Sequence, residues 1–419
     1  MLRILHTSDW HLGQTLRDID REAEHRAFLE WLGDLLEERS QSSMRIHALL
    51  VSGDVFDGPN PSARAQKLFY DFVERCRKFT KLIITAGNHD SAERLQAPAP
   101  VLGSLGVSVI GAWPGHEGDL SPLLCPVQGE DETALVLAMP FLRLSDLGSF
   151  SSEEAETHFV DAHRHRYAQL FASACKERDQ GDATACFIGM GHCFAAGAST
   201  NEDTERRVGK QDELPLDIFP SELAYVALGH LHKAQKVGKT EHVRYCGSPI
   251  PLGFSEVEYQ HQVLEVELFK GVFQSATPHL VPRYRDFLQI PKVHAPWEQV
   301  EILLYQLAAR ADRTLTDPKR PLLEVRVKLP DQGITDLRER VQAILTEKWP
   351  QLFRIDALMP ELSPDAQWEQ ESRGLEDLDP RDVFLALCAE KGISEEVRNT
   401  LLADFASLLQ DVQEQGASK

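Results

Sequence analysis

Five short apolar runs in this chain each end in a residue able to bind a metal ion. LRILHTSD ends at Asp9, IHALLVSGD at Asp54, KLIITAGNHD reaches Asn88 and His89, ACFIGMGH ends at His192 and AYVALGH at His230. Each run is a few residues long, rich in β-formers and closed by glycine or another small residue, the pattern of a buried strand. His11 follows Asp9 at a spacing of two, and His232 follows His230 in the same way. Residues i and i+2 of an extended chain project to one side, so His230 and His232 leave a single strand end together. The fold has to bring these strand ends to one place if the groups are to act together.

Helical patterns separate the runs. REAEHRAFLEWLGDLLEER puts Phe28, Trp31, Leu32, Leu35 and Leu36 on one face. SARAQKLFYDFVERCRK does the same with Ala65, Leu68, Phe69, Phe72, Val73 and Cys76, with Ser62 placed to cap it. Alternating strand and helix predict an α/β core with its functional groups at the carboxyl ends of strands.

A chain of 419 residues is too long for one core. The expected division is a first unit over 1–275, a small α/β unit over 276–362, an acidic linker over 363–379 and a helical segment over 380–419. In the second unit, 297–311 and 334–349 read as helices, and 322–329 and 352–362 as strands. In the last, Val397, Leu401, Leu402, Phe405, Leu408 and Leu409 form an apolar face that docks either on this chain or on a partner helix.

The net charge of −21 argues against a uniformly basic nucleic-acid binder. Residues 361–419 hold 14 Asp and Glu against 5 Lys and Arg, so much of the excess sits in the tail and leaves room for a local basic groove. The seven cysteines contain no CxxC pair, which fits free thiols in a reducing compartment. No run of about 18 apolar residues predicts a membrane span. MLRILHTSDWHLG lacks the apolar stretch of a signal peptide, so the cytoplasm is the expected location.

Asp9, His11, Asp54, Asn88, His89, His192, His230 and His232 together offer carboxylates, imidazoles and an amide oxygen, the donors of manganese, iron or zinc. The set has no thiolate, unlike a structural zinc site. It is too large for one ion and suits two, with a carboxylate such as Asp54 able to bridge them about 4 Å apart. The remaining histidines, among them His6, His25, His163 and His261, read as surface or hydrogen-bonded core residues.

The order D-x-H, GD, GNHD, GH, GHxH resembles the calcineurin-like metallophosphoesterase superfamily over about residues 1–270. The resemblance implies two β-sheets packed face to face with helices outside. It implies Asp9, His11, Asp54 and His232 on one ion, and Asp54, Asn88, His192 and His230 on the other. His89 matches the histidine that protonates the leaving oxygen or stabilises the charge of the transition state. GNHD, and Pro59 and Asn60 after GDVFDG, depart from the protein phosphatases of that superfamily.

LHTSDWHLGQT, GNHDSAERL, GASTNEDTERRVG, YVALGHLHKAQ and YCGSPIPLGFSE look like the bacterial nuclease subunits of SbcCD-type DNA-repair complexes. That implies a manganese-dependent nuclease acting on duplex ends, hairpins and blocked ends, with magnesium or another divalent ion as alternatives. It also implies a DNA-contacting capping domain in the second unit, a C-terminal helix pair gripping the coiled-coil ATPase SbcC in a heterotetramer, and homodimerisation through segments 62–78 and 89–106. Related archaeal and eukaryotic nucleases often have a histidine where this chain has Asp57, which reads here as a group orienting a ligand. Arg206, Arg207 and Lys210, and Lys233 with Lys236 and Lys239, are candidate DNA-phosphate contacts or simply solvated loop charges. A phosphodiesterase of small nucleotides is the competing enzymatic reading, and a scaffold with an inactive site the non-enzymatic one.

Overall fold

The computed structural model describes residues 1–115, 118–147, 155–199, 213–311, 313–330 and 333–358. Arg206, Arg207, Lys210, the acidic linker and the C-terminal helices lie outside these residues. In chain order the main strands are β1 Leu2–Thr7, β2 Ala48–Ser52, β3 Lys81–Thr85, β4 Val107–Ile110, β5 Leu124–Gln128, β6 Thr133–Ala138, β7 Cys186–His192, β8 Leu223–Gly229, β9 Gln235–Lys236, β10 Val243–Tyr245, β11 Gln262–Phe269 and β12 Val272–Leu280. They form two six-stranded sheets, ordered β12-β11-β1-β2-β3-β4 and β9-β10-β8-β7-β6-β5. The five strands whose ends carry the donors, β1, β2, β3, β7 and β8, are parallel to their donor-bearing neighbours.

Strand alternation builds the layers. Leu2, Ile4, Ala48, Leu50 and Ile83 join the apolar layer shared with the second sheet. Leu5, Leu49, Val51, Leu82 and Ile84, one residue out of phase, pack instead with the helices on the outside. Those helices are α1 Glu22–Ser40 and α2 Ala63–Cys76. All six positions expected on the inner face of α2 are buried, and the Ser62 hydroxyl accepts the Ala65 N–H at its start. On α1, Phe28, Leu32 and Leu36 are buried, while Trp31 and Leu35 are only partly so. Helix α3, Ala155–Gln180, covers the second sheet with Tyr167, Leu170 and Ala174.

His6 lies in the layer between the sheets. Its ring meets the Tyr225 hydroxyl at 2.9 Å and donates to the Leu228 carbonyl at 3.2 Å. Burial pushes its pKa down to about 3, so it is a neutral core residue.

The second unit contains β13 Phe287–Pro296, α4 Trp297–Tyr305, β14 Leu322–Lys328, α5 Leu337–Leu345 and β15 Gln351–Leu358. Its three strands are parallel and in sequential order. Strand β12 pairs with β11 as far as Leu280. One expectation needs correction. Helix α4 stops at Tyr305, short of 311, because Ala309 leaves the helical path to form a bridge with Lys348.

The two units meet at an apolar cluster of Phe254, Phe287 and Leu322, joined by Leu16, Ile19, Val257 and Phe353. The Phe254 ring lies 5.0 Å from Phe287 and 5.0 Å from Phe353. Beside it, buried Glu24 pairs with Arg21 at 2.6 Å and approaches Arg285 of the segment entering the second unit at 3.7 Å.

Candidate metal centre

The strand ends turn sharply before the donors. Asp9, His11, Asp54 and His230 all have positive φ, at 54°, 46°, 50° and 102°. Non-glycine residues avoid this region, and such strain gathers at sites where the surrounding structure fixes it. Here the fixing is done by backbone bonds between neighbouring loops. Asp9 N–H donates to Gly53 O at 3.0 Å, and His11 N–H to Asp54 O at 3.0 Å.

Glycine is needed where the loops cross. A Cβ on Gly87 would fall 2.1 Å from Asp54 Oδ1, and one on Gly229 would fall 1.9 Å from Ser52 O. The glycines of GNHD and GHLH therefore allow one donor loop to lie directly against another.

These loops bring all eight sequence-predicted groups to one end of the two sheets. Asp54 Oδ2 stands between two imidazoles, 3.5 Å from His11 Nε2 and 3.3 Å from His192 Nε2. Asn88 Oδ1 stands 2.9 Å from His192 Nε2 and 3.0 Å from His230 Nδ1. Donor atoms of Asp9, His11 and His232 lie within 4.8 Å of one another, as do those of Asp9, Asp54 and His192. Asp9 also accepts the His230 N–H at 3.0 Å and the Ser8 hydroxyl.

The surrounding groups set which ring nitrogen is free. His192 Nδ1 is 2.9 Å from the Ser52 carbonyl, which can only accept, so Nδ1 carries the proton and Nε2 faces the centre. His232 Nδ1 pairs with Glu256 at 2.7 Å. His11 Nδ1 meets the Asp57 carboxylate at 3.2 Å. His89 lies at the edge, its backbone N–H on Asp54 Oδ1 at 2.9 Å and its Nδ1 donating to the Asp57 carbonyl at 3.0 Å.

This arrangement demands positive charge. Burial opposes charging His192, yet Asp54 beside it raises its pKa to about 9. Burial likewise opposes His232, and Glu256 raises it to about 9. His230, without a carboxylate of its own, is pushed down to about 3 by burial and by His192. Burial would raise the Asp54 carboxyl, but His192, His11 and His89 together hold it well below the ordinary carboxylate range. His11 Nε2 is buried with no hydrogen-bond partner and is aimed towards a carboxylate. An orphaned imidazole nitrogen facing carboxylate oxygen fits a divalent cation between them.

Two functional-site residues escaped the sequence reading. Glu256 holds His232, and its other oxygen accepts the Leu252 N–H at 2.8 Å. The only hint was an acid inside the otherwise apolar PIPLGFSEV. Asp90, the last residue of GNHD, is buried and accepts the N–H groups of Val55, Phe56 and Gly87 at 3.1, 2.9 and 2.9 Å. It ties the second donor loop to the third. Of the basic candidates, Lys233 is exposed directly after His232, and Lys236 is paired with Glu241 at 2.5 Å.

A cavity of about 730 Å³ opens onto the centre. His89, Asn88 and Asp57 line its polar side, and Phe141, Phe194, Leu214 and Leu252 its apolar side. Arg143 stands on the rim and holds the Asp90 carbonyl at 2.8 Å.

Comparisons with known proteins agree with this geometry. Residues 2–234 match the family profile of the calcineurin-like phosphoesterases. Residues 283–391 match a profile described as the type 5 capsule protein repressor C-terminal domain. The chain is similar to the SbcD subunit of the SbcCD nuclease of Rhodobacter capsulatus, 38% identical over 82% of this chain and 84% of the relative. The SbcD subunit of Escherichia coli is 32% identical over 97% of this chain and 98% of the relative. That of Bacillus subtilis is 32% identical over 64% and 67%. The chain therefore belongs to the calcineurin-like phosphoesterase family, and within it to the branch formed by the SbcD subunits of SbcCD nucleases.

Proposed function

We propose that this chain is the nuclease subunit of an SbcCD-type complex and hydrolyses DNA phosphodiester bonds with two manganese ions. The observation that carries the reading is Asp54 Oδ2, placed between His11 and His192 at the meeting point of two donor clusters. Asp9, His11 and His232 would hold one ion, Asn88, His192 and His230 the other, and Asp54 both. The ions would supply Lewis acidity towards the phosphate and a nucleophilic water near neutral pH.

The chain's own residues do the rest. Ser52, Asp57 and Glu256 keep three imidazole rings in the orientation that presents Nε2. His89 groups with His11 and Asp57 rather than with Asp54, and its Nδ1–H is fixed on the Asp57 carbonyl. Its Nε2 is thus the atom that can give a proton to the leaving oxygen. Exposed Lys233 would take a DNA phosphate, so Lys233→Glu should lower the salt slope of DNA binding by about one. Val101 and Leu105, 67% and 41% exposed after GNHD, support a homodimer through that segment. The segment 380–419, expected to be helical from its sequence, would bind the ATPase SbcC. The six described cysteines are free, in keeping with a reducing cytoplasm, and no described helix is long and apolar enough to cross a membrane.

The test is cleavage of an end-labelled duplex and a hairpin with manganese by wild type and His89→Gln, with bound manganese counted in both. Cleavage by wild type alone, with equal metal in both proteins, is expected. The cavity of about 730 Å³ beside the centre leaves room for a second reading, a small-nucleotide phosphodiesterase. Hydrolysis of small diesters with no cleavage of DNA, even with the ATPase present, would establish it instead.

A further inference from the structure

Among the described residues, two segments of the first unit that touch the second lead to the same donor cluster. One is the hairpin Thr15–Leu16 and Ile19–Asp20 just after His11. Leu16 and Ile19 pack in the cluster between the units, and Arg17 donates to the Phe353 carbonyl at 3.2 Å with its guanidinium 5.0 Å from the Phe353 ring. Gln14, at the base of this hairpin, has its N–H on the His11 carbonyl at 3.0 Å.

The other segment is the short turn Phe254–Glu256. Phe254 is clasped by Phe287 and Phe353, and its carbonyl accepts Gln289 Nε2 at 3.1 Å. Arg283 holds the Val257 carbonyl at 2.8 Å, and Lys292 pairs with Glu258 at 3.1 Å. Glu256, between these grips, is the residue that orients His232. None of these contacts reaches Asn88, His192 or His230, which sit on strand ends inside the first unit.

We propose that Glu256 is a positioning residue through which the second unit controls one of the two metal ions, the one held by Asp9, His11 and His232. Displacing the second unit pulls on Phe254, turns Glu256 and releases His232 from the orientation that binds metal. The ion on Asn88, His192 and His230 stays in place. Movement of the second unit can then switch the centre between a two-ion and a one-ion state without touching it. The proposal rests on the two-ion reading above.

The experiment is manganese titration of the full-length protein, followed by calorimetry and by the electron paramagnetic resonance of exchange-coupled manganese pairs. Wild type should bind two ions and show the coupled signal. Glu256→Ala should weaken one binding step by about 10- to 100-fold and replace the coupled signal with that of a single ion. Phe353→Ala and Gln289→Ala, both in the second unit, should weaken the same step by about 3- to 10-fold and leave the other unchanged. In a Glu256→Ala background neither should have any further effect, because the route is already cut.

Equal weakening of both steps would indicate general loss of packing and would overturn the proposal. So would additive effects, or wild-type binding in Phe353→Ala and Gln289→Ala together. A wild type that binds no ion defeats the two-ion reading itself. A wild type with two ions and insensitive variants defeats only the control by the second unit.

Discussion

The two halves of the centre are held in different ways. His192, Asn88 and His230 leave the carboxyl ends of parallel strands, or the loops directly after them, in the middle of the first unit. His192 is anchored on a backbone carbonyl of the facing sheet, and Gly53 and Gly229 press against its ring so closely that a Cβ on either would fall within 2.8 Å of Nδ1. His11 and His232 are anchored instead by carboxylate side chains. Asp57 is 41% exposed, and Glu256 stands on a turn whose position depends on another unit. Backbone anchors move only if the sheets move. Side-chain anchors move with whatever holds their segment, so one half is structurally rigid and the other adjustable.

The largest expected effect removes the group common to both halves. Asp54→Asn should lower manganese-dependent hydrolysis by about 1000-fold, matching the several kcal/mol of charge stabilisation that a metal site supplies. A loss below about tenfold in a steady-state assay would show that the halves share no carboxylate.

Glycine substitutions separate the halves next. Gly229→Ala places a Cβ 1.9 Å from Ser52 O and should cost about 1–3 kcal/mol in denaturant unfolding. Gly253→Ala, beside the Glu256 turn, meets nothing nearer than Ser255 Oγ at 4.0 Å and has extended backbone at φ −166°, so its cost should be near zero. Equal costs would remove the contrast in rigidity.

Acid probes the layer beneath the rigid half. The folded pKa of His6 is about 3, below the value of about 6.5 for an unfolded chain. As pH falls, the unfolded state therefore takes the proton first. The His6 contribution is complete above about pH 6.5 and is lost on the way down to about pH 3. The stability of wild type should fall more steeply than that of His6→Gln in this window, by about 1.4 kcal/mol per pH unit. Parallel curves would mean that His6 does not titrate on unfolding.

A modest effect on metal binding is expected on the adjustable side. Asp57→Ala leaves His11 with its ligand nitrogen intact but its ring untethered, and should weaken manganese binding by about tenfold. Its carboxylate is largely open to water, which can replace part of the tether. A loss as large as that of Asp54→Asn would mean that Asp57 itself binds metal, as its proximity to His11 and His89 allows.

Much of this architecture is legible in the sequence. Strands β1, β2, β3 and β7 fall within the runs read as strands, β8 starts one residue before its run, and the cap and buried face of α2 fall where the pattern puts them. The donors are visible because each sits within a few residues of a strand end and a glycine, so the signal is short-ranged. The extent of β12 is not visible, because its pairing with β11 depends on a hairpin register rather than on composition. Asp90 lies within the GNHD motif, but its role is to accept three N–H groups from two separate loops, which no spacing reveals. Glu256 lies 24 residues from the histidine it orients.

Periodicity and turn chemistry are properties of neighbouring residues, so the chain alone specified the strands, the helices and the set of donors. Burial and electrostatics depend on what arrives from elsewhere. Folding therefore decided that His6 is neutral between the sheets, that His192 and His232 are drawn towards positive charge, and that one half of the centre is tied to a second unit. A charge state or a tether exists only once segments far apart in sequence share one low-dielectric space, and that is set by packing rather than by any local pattern.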